Sequence, residues 1–170
     1  MIERPKPEYR SGIGTDIHEL INGRKLMLCG VHVPYPAGLA GYSDGDVGLH
    51  AVIDALLGAS GMGDIGTLFP DTDPQFKDAD SKELLVIVKE QLEEKDWEVA
   101  NVDVIIHAEE PSLEPVKGQM KRCIAGLLEI DFATVNVKAK TNEGFGDVGT
   151  GDAIAATAIA LLKKKKRRTL

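Results

Sequence analysis

Gly12-Ile13-Gly14-Thr15-Asp16-Ile17-His18 reads as a β-strand, and Val47-Gly48-Leu49-His50-Ala51-Val52-Ile53-Asp54-Ala55-Leu56-Leu57 reads as a mostly apolar helix. Side chains two apart on a strand share a face, so Asp16 and His18 point the same way. On the helix, Asp46, His50 and Asp54 fall at i, i+4 and i+8 and form one polar stripe. Buried charge is costly unless it is paired or bound to a metal. Two imidazoles and a carboxylate, with a fourth position open, are the donor set of a catalytic zinc site. The same donors suit manganese, iron or cobalt. Asp46 or Asp54 could hold the second ring nitrogen of His50, the usual support for a ligating histidine. The competing reading is an exposed acidic stripe, and spacing alone leaves both open.

Outward from this pair, residues 9–17 and 25–33 read as strands joined by a turn at Asn22-Gly23. Ser43 is a good N-cap, with Asp46 at the N3 position, for a helix to about residue 60. Gly61, Gly63 and Gly66 break that pattern, and residues 64–80 form a loop. Asp80 or Ser81 caps a second helix to about Asp96. Val99 to Ala108 is a strand and Pro115 to Leu128 a third helix. Val135 to Thr141 alternates Val135, Val137 and Ala139 against Asn136, Lys138 and Lys140. Residues 142–150 are a Gly-rich loop, and residues 151–166 form a last helix with Ile154, Ala158, Leu161 and Leu162 on one side. The class is α/β: two layers, a four-stranded mixed sheet with helices on one face. The sheet's half-polar second face meets water, a ligand cavity or another subunit.

With 170 residues the chain is one domain, 1–170, long enough for a real core. Residues 1–8 are expected to be a flexible N-terminus and 163–170 a basic tail. No apolar run approaches the ~20 residues that span a bilayer, so no membrane partner is expected. The polar start has no signal-peptide core, which points to a cytoplasmic protein. Cys29 and Cys123 read as buried thiols of a reducing compartment. Lys163-Lys164-Lys165-Lys166-Arg167-Arg168 holds six of the 20 basic residues, so the remaining 14 face 27 acidic ones. Such a body does not favour nucleic acid. The tail itself is either a patch for an anionic partner or a solvated helix end.

Two loops could carry chemistry. Gly63-Asp64-Ile65-Gly66-Thr67-Leu68-Phe69-Pro70-Asp71-Thr72-Asp73 is long for a compact domain. Its carboxylates bind a ligand or cap turns, and the EF-hand spacing is absent. Lys138-Ala139-Lys140-Thr141-Asn142-Glu143-Gly144 ends a strand, a favoured place for ligand contacts. There Glu143 could bind Mg²⁺ or Mn²⁺, and Thr141 could donate to an oxyanion, or the segment is an ordinary turn.

Taken together, Asp16-Ile17-His18, Ser43-Asp44-Gly45-Asp46-Val47, His50, Asp54-Ala55-Leu56-Leu57-Gly58, Gly63-Asp64-Ile65-Gly66, Phe69-Pro70-Asp71-Thr72-Asp73, Asn101, Asp103 and Asn136-Val137-Lys138-Ala139-Lys140-Thr141 with Glu143 resemble the 2-C-methyl-D-erythritol 2,4-cyclodiphosphate synthase family. The resemblance covers residues 11–163. It implies a homotrimer with sheets toward the centre and active sites between subunits. The implied substrate is a cytidine diphosphate, 4-diphosphocytidyl-2-C-methyl-D-erythritol 2-phosphate, whose 2-phosphate attacks the β-phosphorus and releases CMP in the non-mevalonate isoprenoid pathway.

The resemblance also assigns roles. Asp16, His18 and His50 match zinc ligands, and Glu143 matches a residue that helps hold Mg²⁺ or Mn²⁺ on the diphosphate. Thr141 matches a residue credited with transition-state stabilisation. Ser43, Asp64, Ile65, Gly66, Phe69, Asp71, Thr72 and Asp73 match substrate contacts. Ala108, Pro111, Leu113, Ala139, Lys140 and Thr141 match the cytidine pocket. Four places differ. Tyr42 stands where the family usually has a His credited with transition-state stabilisation, and Ser112 follows Pro111 where a Lys is common. Asp147 and Thr150 replace an aromatic and an Arg of the late loop. The rival readings are a zinc-dependent phosphohydrolase and a non-catalytic trimeric metal-binding protein.

Overall fold

A computed structural model of the chain describes residues 8–165. In chain order the elements are β1 (Tyr9–Asn22), β2 (Leu26–Leu28), β3 (Val31–Val33), β4 (Ala37–Leu39), α1 (Val47–Ser60), α2 (Ile65–Leu68), α3 (Ser81–Glu94), β5 (Trp97–His107), α4 (Lys117–Leu128), β6 (Val135–Lys140), α5 (Gly146–Gly149) and β7 (Ala153–Lys164). Short 3₁₀ turns at Pro74–Phe76 and Phe132–Thr134 complete the path.

The class is α/β with a mixed sheet, as expected, but the sheet has five strands in the order β4-β1-β7-β5-β6. Only β5 and β6 run parallel; the other pairs are antiparallel. The expected last helix, 151–166, is the strand β7. Its run of alanines favours helix intrinsically, but tertiary pairing overrides propensity. β7 is the middle strand, bonded to β1 from Tyr9↔Lys163 to Glu19↔Ala153 and to β5 from Trp97↔Lys164 to His107↔Ala155. The expected strand over 25–33 is a hairpin, β2 with β3, outside the main sheet. β4, three residues long, pairs with the end of β1 and was not foreseen.

Residues 1–7 and 166–170, which hold nearly all of the expected flexible N-terminus and most of the basic tail, lie outside the described residues. Lys163 and Lys164 end a strand rather than a helix.

The core lies between the sheet and α1, α3 and α4. α1 is fully buried at Leu49, Ile53, Leu56 and Leu57, and burying each such side chain contributes about 1.5–3 kcal/mol. The helix can lie this close because β1 carries Gly12 and Gly14 beneath it. A Cβ at Gly12 would sit 2.1 Å from the Ala55 carbonyl oxygen, and one at Gly14 would sit 2.1 Å from that of Ala51. Ala156, Ala158 and Ala160 of β7 are likewise buried. Small residues thus set the height of α1 over β1. Asp16 and His18 follow Gly12 and Gly14 on the same face, where α1 presents His50.

The other face of the sheet carries apolar side chains. Ile13 is 65% exposed, Ile17 55% and Ile159 49%. Ile13 and Ile159 are register partners on adjacent strands, so they form a continuous patch. Among the described residues, no helix is long and apolar enough to cross a membrane.

Candidate metal centre and adjoining cleft

Helix α1 begins at Asp46, not Ser43. The Asp46 carboxylate accepts from Leu49 N–H at 3.0 Å, which caps the helix. It also accepts from the backbone N–H of Cys29 at 2.7 Å and of Gly30 at 2.5 Å. Asp46 therefore pins the β2–β3 hairpin to the start of α1. Burial pushes its pKa up, against those three donors. One turn further along, His50 reaches β1.

Three donor atoms converge there. Asp16 Oδ2 lies 2.8 Å from His50 Nδ1 and 2.9 Å from His18 Nε2. The two ring nitrogens are 3.2 Å apart. Ligands on a tetrahedral zinc at 2.0–2.1 Å are separated from one another by about 3.3 Å. The three separations approach that spacing, and the donor set is the one zinc uses, so the residues fit the metal. They form the one His, Cys, Asp or Glu cluster of ligating geometry among the described residues.

Burial raises the Asp16 carboxyl, but hydrogen bonds and charge from His18 and His50 outweigh it and hold the group well below the usual carboxylate range. Burial lowers the His50 imidazole, and the hydrogen bond and charge of Asp16 reverse this, leaving it raised.

Neither Asp46 nor Asp54 supports the second nitrogen of His50. Nε2 instead faces two hydroxyls, Ser43 Oγ at 3.1 Å and Ser81 Oγ at 3.0 Å. Both carboxylates of the stripe serve backbone: Asp54 accepts from Ile65 N–H at 2.7 Å, tying α2 to α1. Sequence reasoning saw Ser81 only as a possible cap. That cap is Asp80, which accepts from Lys82 N–H at 2.9 Å. A serine at a helix start carries no signal of contact with a distant histidine.

The three donors open onto a cleft of about 390 Å³ lined by Tyr42, Ser43, Ile65, Gly66, Phe69 and Asp71, with Phe76 and Leu84 behind. Asp64, Thr72 and Asp73 do not line it. Asp64 caps α2 by accepting from Thr67 N–H at 2.7 Å, and hydrogen bonds from the Thr67 hydroxyl and from that N–H lower its pKa. Asp73 caps the first 3₁₀ turn, and its carbonyl accepts from the Tyr42 hydroxyl at 3.2 Å. Phe69 and Phe76 meet edge to face at 5.2 Å, which shapes the far wall.

A second cavity, about 240 Å³, is lined by Ala108, Pro111, Leu113, Ala139, Lys140 and Thr141, together with Glu109, Glu110, Ser112 and Glu114. It lies outside the carboxyl ends of the parallel strands β5 and β6, the usual ligand position on such a sheet. Ala108 N–H donates to the Lys140 carbonyl at 2.9 Å there, and Asn142 N–H donates to the Glu109 carboxylate at 3.1 Å. Glu143 accepts from the Thr141 hydroxyl at 2.8 Å. Among the described residues, none lines both cavities. Within one chain the metal centre and the Thr141–Glu143 segment are therefore not brought into one site.

The sequence model of the YgbB family matches residues 9–163. A 2-C-methyl-D-erythritol 2,4-cyclodiphosphate synthase of Treponema denticola is 49% identical over 153 residues, 90% of this chain and 95% of that protein. A synthase of the same name from Actinobacillus pleuropneumoniae serotype 7 is 51% identical over 156 residues, 92% and 99% of the two chains. The bifunctional IspDF of Campylobacter jejuni superposes with a TM-score of 0.90 at 41% identity over 94% of this chain, which spans 43% of that longer protein. Plasmodium falciparum IspF, solved as a CDP complex, gives a TM-score of 0.82 at 32% identity over 95% of this chain and all of that one. The cluster of Asp16, His18 and His50 and its cleft thus sit in a chain that belongs to the YgbB family, whose members named here are 2-C-methyl-D-erythritol 2,4-cyclodiphosphate synthases.

Proposed function

We propose that the chain converts 4-diphosphocytidyl-2-C-methyl-D-erythritol 2-phosphate into 2-C-methyl-D-erythritol 2,4-cyclodiphosphate and CMP, a step of non-mevalonate isoprenoid precursor synthesis. The observation that carries this is the convergence of Asp16, His18 and His50 at the wall of the 390 Å³ cleft. Half of all residues agree with named synthases over nine tenths of the chain.

The 2-phosphate oxygen attacks the β-phosphorus, the bond to the bridging oxygen breaks, and CMP carries that oxygen away. The nucleophile belongs to the substrate, so the protein supplies position and charge. Asp16, His18 and His50 hold the zinc, which when bound polarises a phosphate oxygen as a Lewis acid. Glu143 offers a carboxylate to the Mg²⁺ or Mn²⁺ that accompanies the diphosphate. Ser43, Ile65, Gly66, Phe69 and Asp71 enclose the methylerythritol phosphate, and Asp64, Thr72 and Asp73 shape the loop that carries these contacts. Ala108, Pro111, Leu113, Ala139 and Lys140 surround the cytidine. Thr141 and Tyr42 serve as neutral donors to the developing charge once their hydroxyls turn from the Glu143 carboxylate and the Asp73 carbonyl.

The working unit is a homotrimer. Two observations support it: among the described residues of a chain the cleft and the cytidine cavity share none, and the outer face of the sheet exposes Ile13, Ile17 and Ile159. Packing sheets at the centre covers those isoleucines and lets one subunit's cytidine cavity face its neighbour's cleft.

The test is chromatographic assay of CMP from the pathway substrate, with light scattering of the same sample. CMP release that is lost on chelation, from a particle of about three times 18.3 kDa, is expected. An active particle of one chain mass would contradict shared sites.

A further inference from the structure

The Ser81 hydroxyl is fully buried at the first position of α3. It touches Asp44 Oδ1 at 2.5 Å and His50 Nε2 at 3.0 Å. A hydroxyl has one hydrogen to give, and a carboxylate accepts. The hydrogen therefore goes to Asp44, whose other oxygen accepts from Ser81 N–H at 3.2 Å. Ser81 Oγ then meets His50 with a lone pair, and that contact is a hydrogen bond only if Nε2 carries the hydrogen. The ring's other nitrogen, Nδ1, is the one 2.8 Å from Asp16 Oδ2 and 3.2 Å from His18 Nε2. Ser43 Oγ, 3.1 Å from Nε2, can give or accept and so sets no direction by itself.

We propose that Asp44 and Ser81 are positioning residues: the carboxylate fixes the direction of the Ser81 hydroxyl, which holds the His50 ring as an Nε2–H donor with Nδ1 turned to the metal. The relay also links three segments, the 42–46 loop, α1 and the start of α3, so the ring's angle is set by packing as well as by hydrogen bonds. The inference rests on His50 being a metal ligand, as stated under Proposed function.

Zinc affinity by competition with a chromophoric chelator tests it on the full chain. Loss of such a support typically weakens metal binding 10–100-fold. Ser81→Ala should therefore bind zinc at least about tenfold more weakly, while Ser81→Thr, which keeps the hydroxyl, stays within about threefold of wild type. Asp44→Asn offers an amide that can donate to Ser81 Oγ and turn its hydrogen onto the ring. It should weaken zinc similarly, and it keeps the test open if Ser81→Ala does not fold. Long-range ¹⁵N–¹H correlation spectra of the zinc-loaded wild type should show the His50 hydrogen on Nε2. Zinc bound through Nε2, or wild-type affinity in a folded Ser81→Ala, would overturn the positioning role. Wild-type protein that takes up no zinc would overturn the metal reading itself.

Discussion

Gly14→Ala tests whether the closeness of α1 to β1 builds the metal centre. The new Cβ would lie 2.1 Å from Ala51 O, 2.6 Å from Ala55 N and 2.8 Å from Asp54 Cβ. Two of these atoms are backbone and the third is a Cβ, so rotamer changes cannot relieve the clash. Favourable contact between such atoms begins near 3.5 Å, so the helix must retreat by on the order of 1 Å. Overpacking of this kind costs about 1–3 kcal/mol, and the rigidity of the neighbours puts Gly14 at the upper end. For a domain of this size that is a fall in Tm of roughly 6–12 °C. His50 precedes Ala51 and moves with it, lengthening its 2.8 Å approach to Asp16. Metal sites tolerate errors of about 0.2 Å, so zinc affinity should fall at least about tenfold, the loss a disturbed ligand shell brings. Calorimetry and chelator competition on one preparation read both effects. Gly126→Ala is the control: nothing lies within 4 Å of its added Cβ, and alanine in a helix gains about 0.5–1 kcal/mol. A Gly14→Ala protein with wild-type Tm and zinc affinity would refute the packing argument.

Three further outcomes are expected. The raised pKa of His50 means that the metal-free fold binds its proton more tightly than the unfolded chain does, so the contribution is full below the ordinary value of 6.5 and is lost as pH rises through the folded value. The Tm gap between metal-free wild type and His50→Gln should therefore narrow as pH rises, and a widening gap would contradict the assignment. Tyr42→Phe removes a hydroxyl that donates to the Asp73 carbonyl at 3.2 Å. Turnover at saturating substrate should fall about tenfold, equivalent to ~1.4 kcal/mol, and an unchanged turnover number would withdraw the catalytic role from Tyr42. Ile13→Glu puts charge into the patch shared with Ile159 and should shift light-scattering mass toward a single chain, whereas an intact trimer would move the interface elsewhere.

The convergence of Asp16, His18 and His50 was legible because these residues obey short periods. Asp16 and His18 are two apart on a strand, and His50 sits on an unmistakably apolar helix. The same helix misled where the partner was distant. Its polar stripe suggested support from Asp46 and Asp54, but both carboxylates answer backbone N–H groups at the hairpin and at α2. The ring is held by Ser81, a contact that exists only once α3 has packed. β7 was misread for a related reason. Ala153 to Lys164 has alanine's helix propensity and little contrast between its faces, because the alanines fit beneath α1 while both strand edges are taken by β1 and β5. β4 is three residues long and defined only by its pairing with the end of β1, so local sequence gave no hint of it.

Phosphorus NMR of the reaction tests the central claim most directly. Purified protein with zinc, magnesium and 4-diphosphocytidyl-2-C-methyl-D-erythritol 2-phosphate should yield the resonances of a cyclic diphosphate and of CMP in equal amounts, and His50→Ala should yield neither. Inorganic phosphate or an opened diphosphate as the main product would contradict the account and make the chain a phosphohydrolase built on the same three ligands.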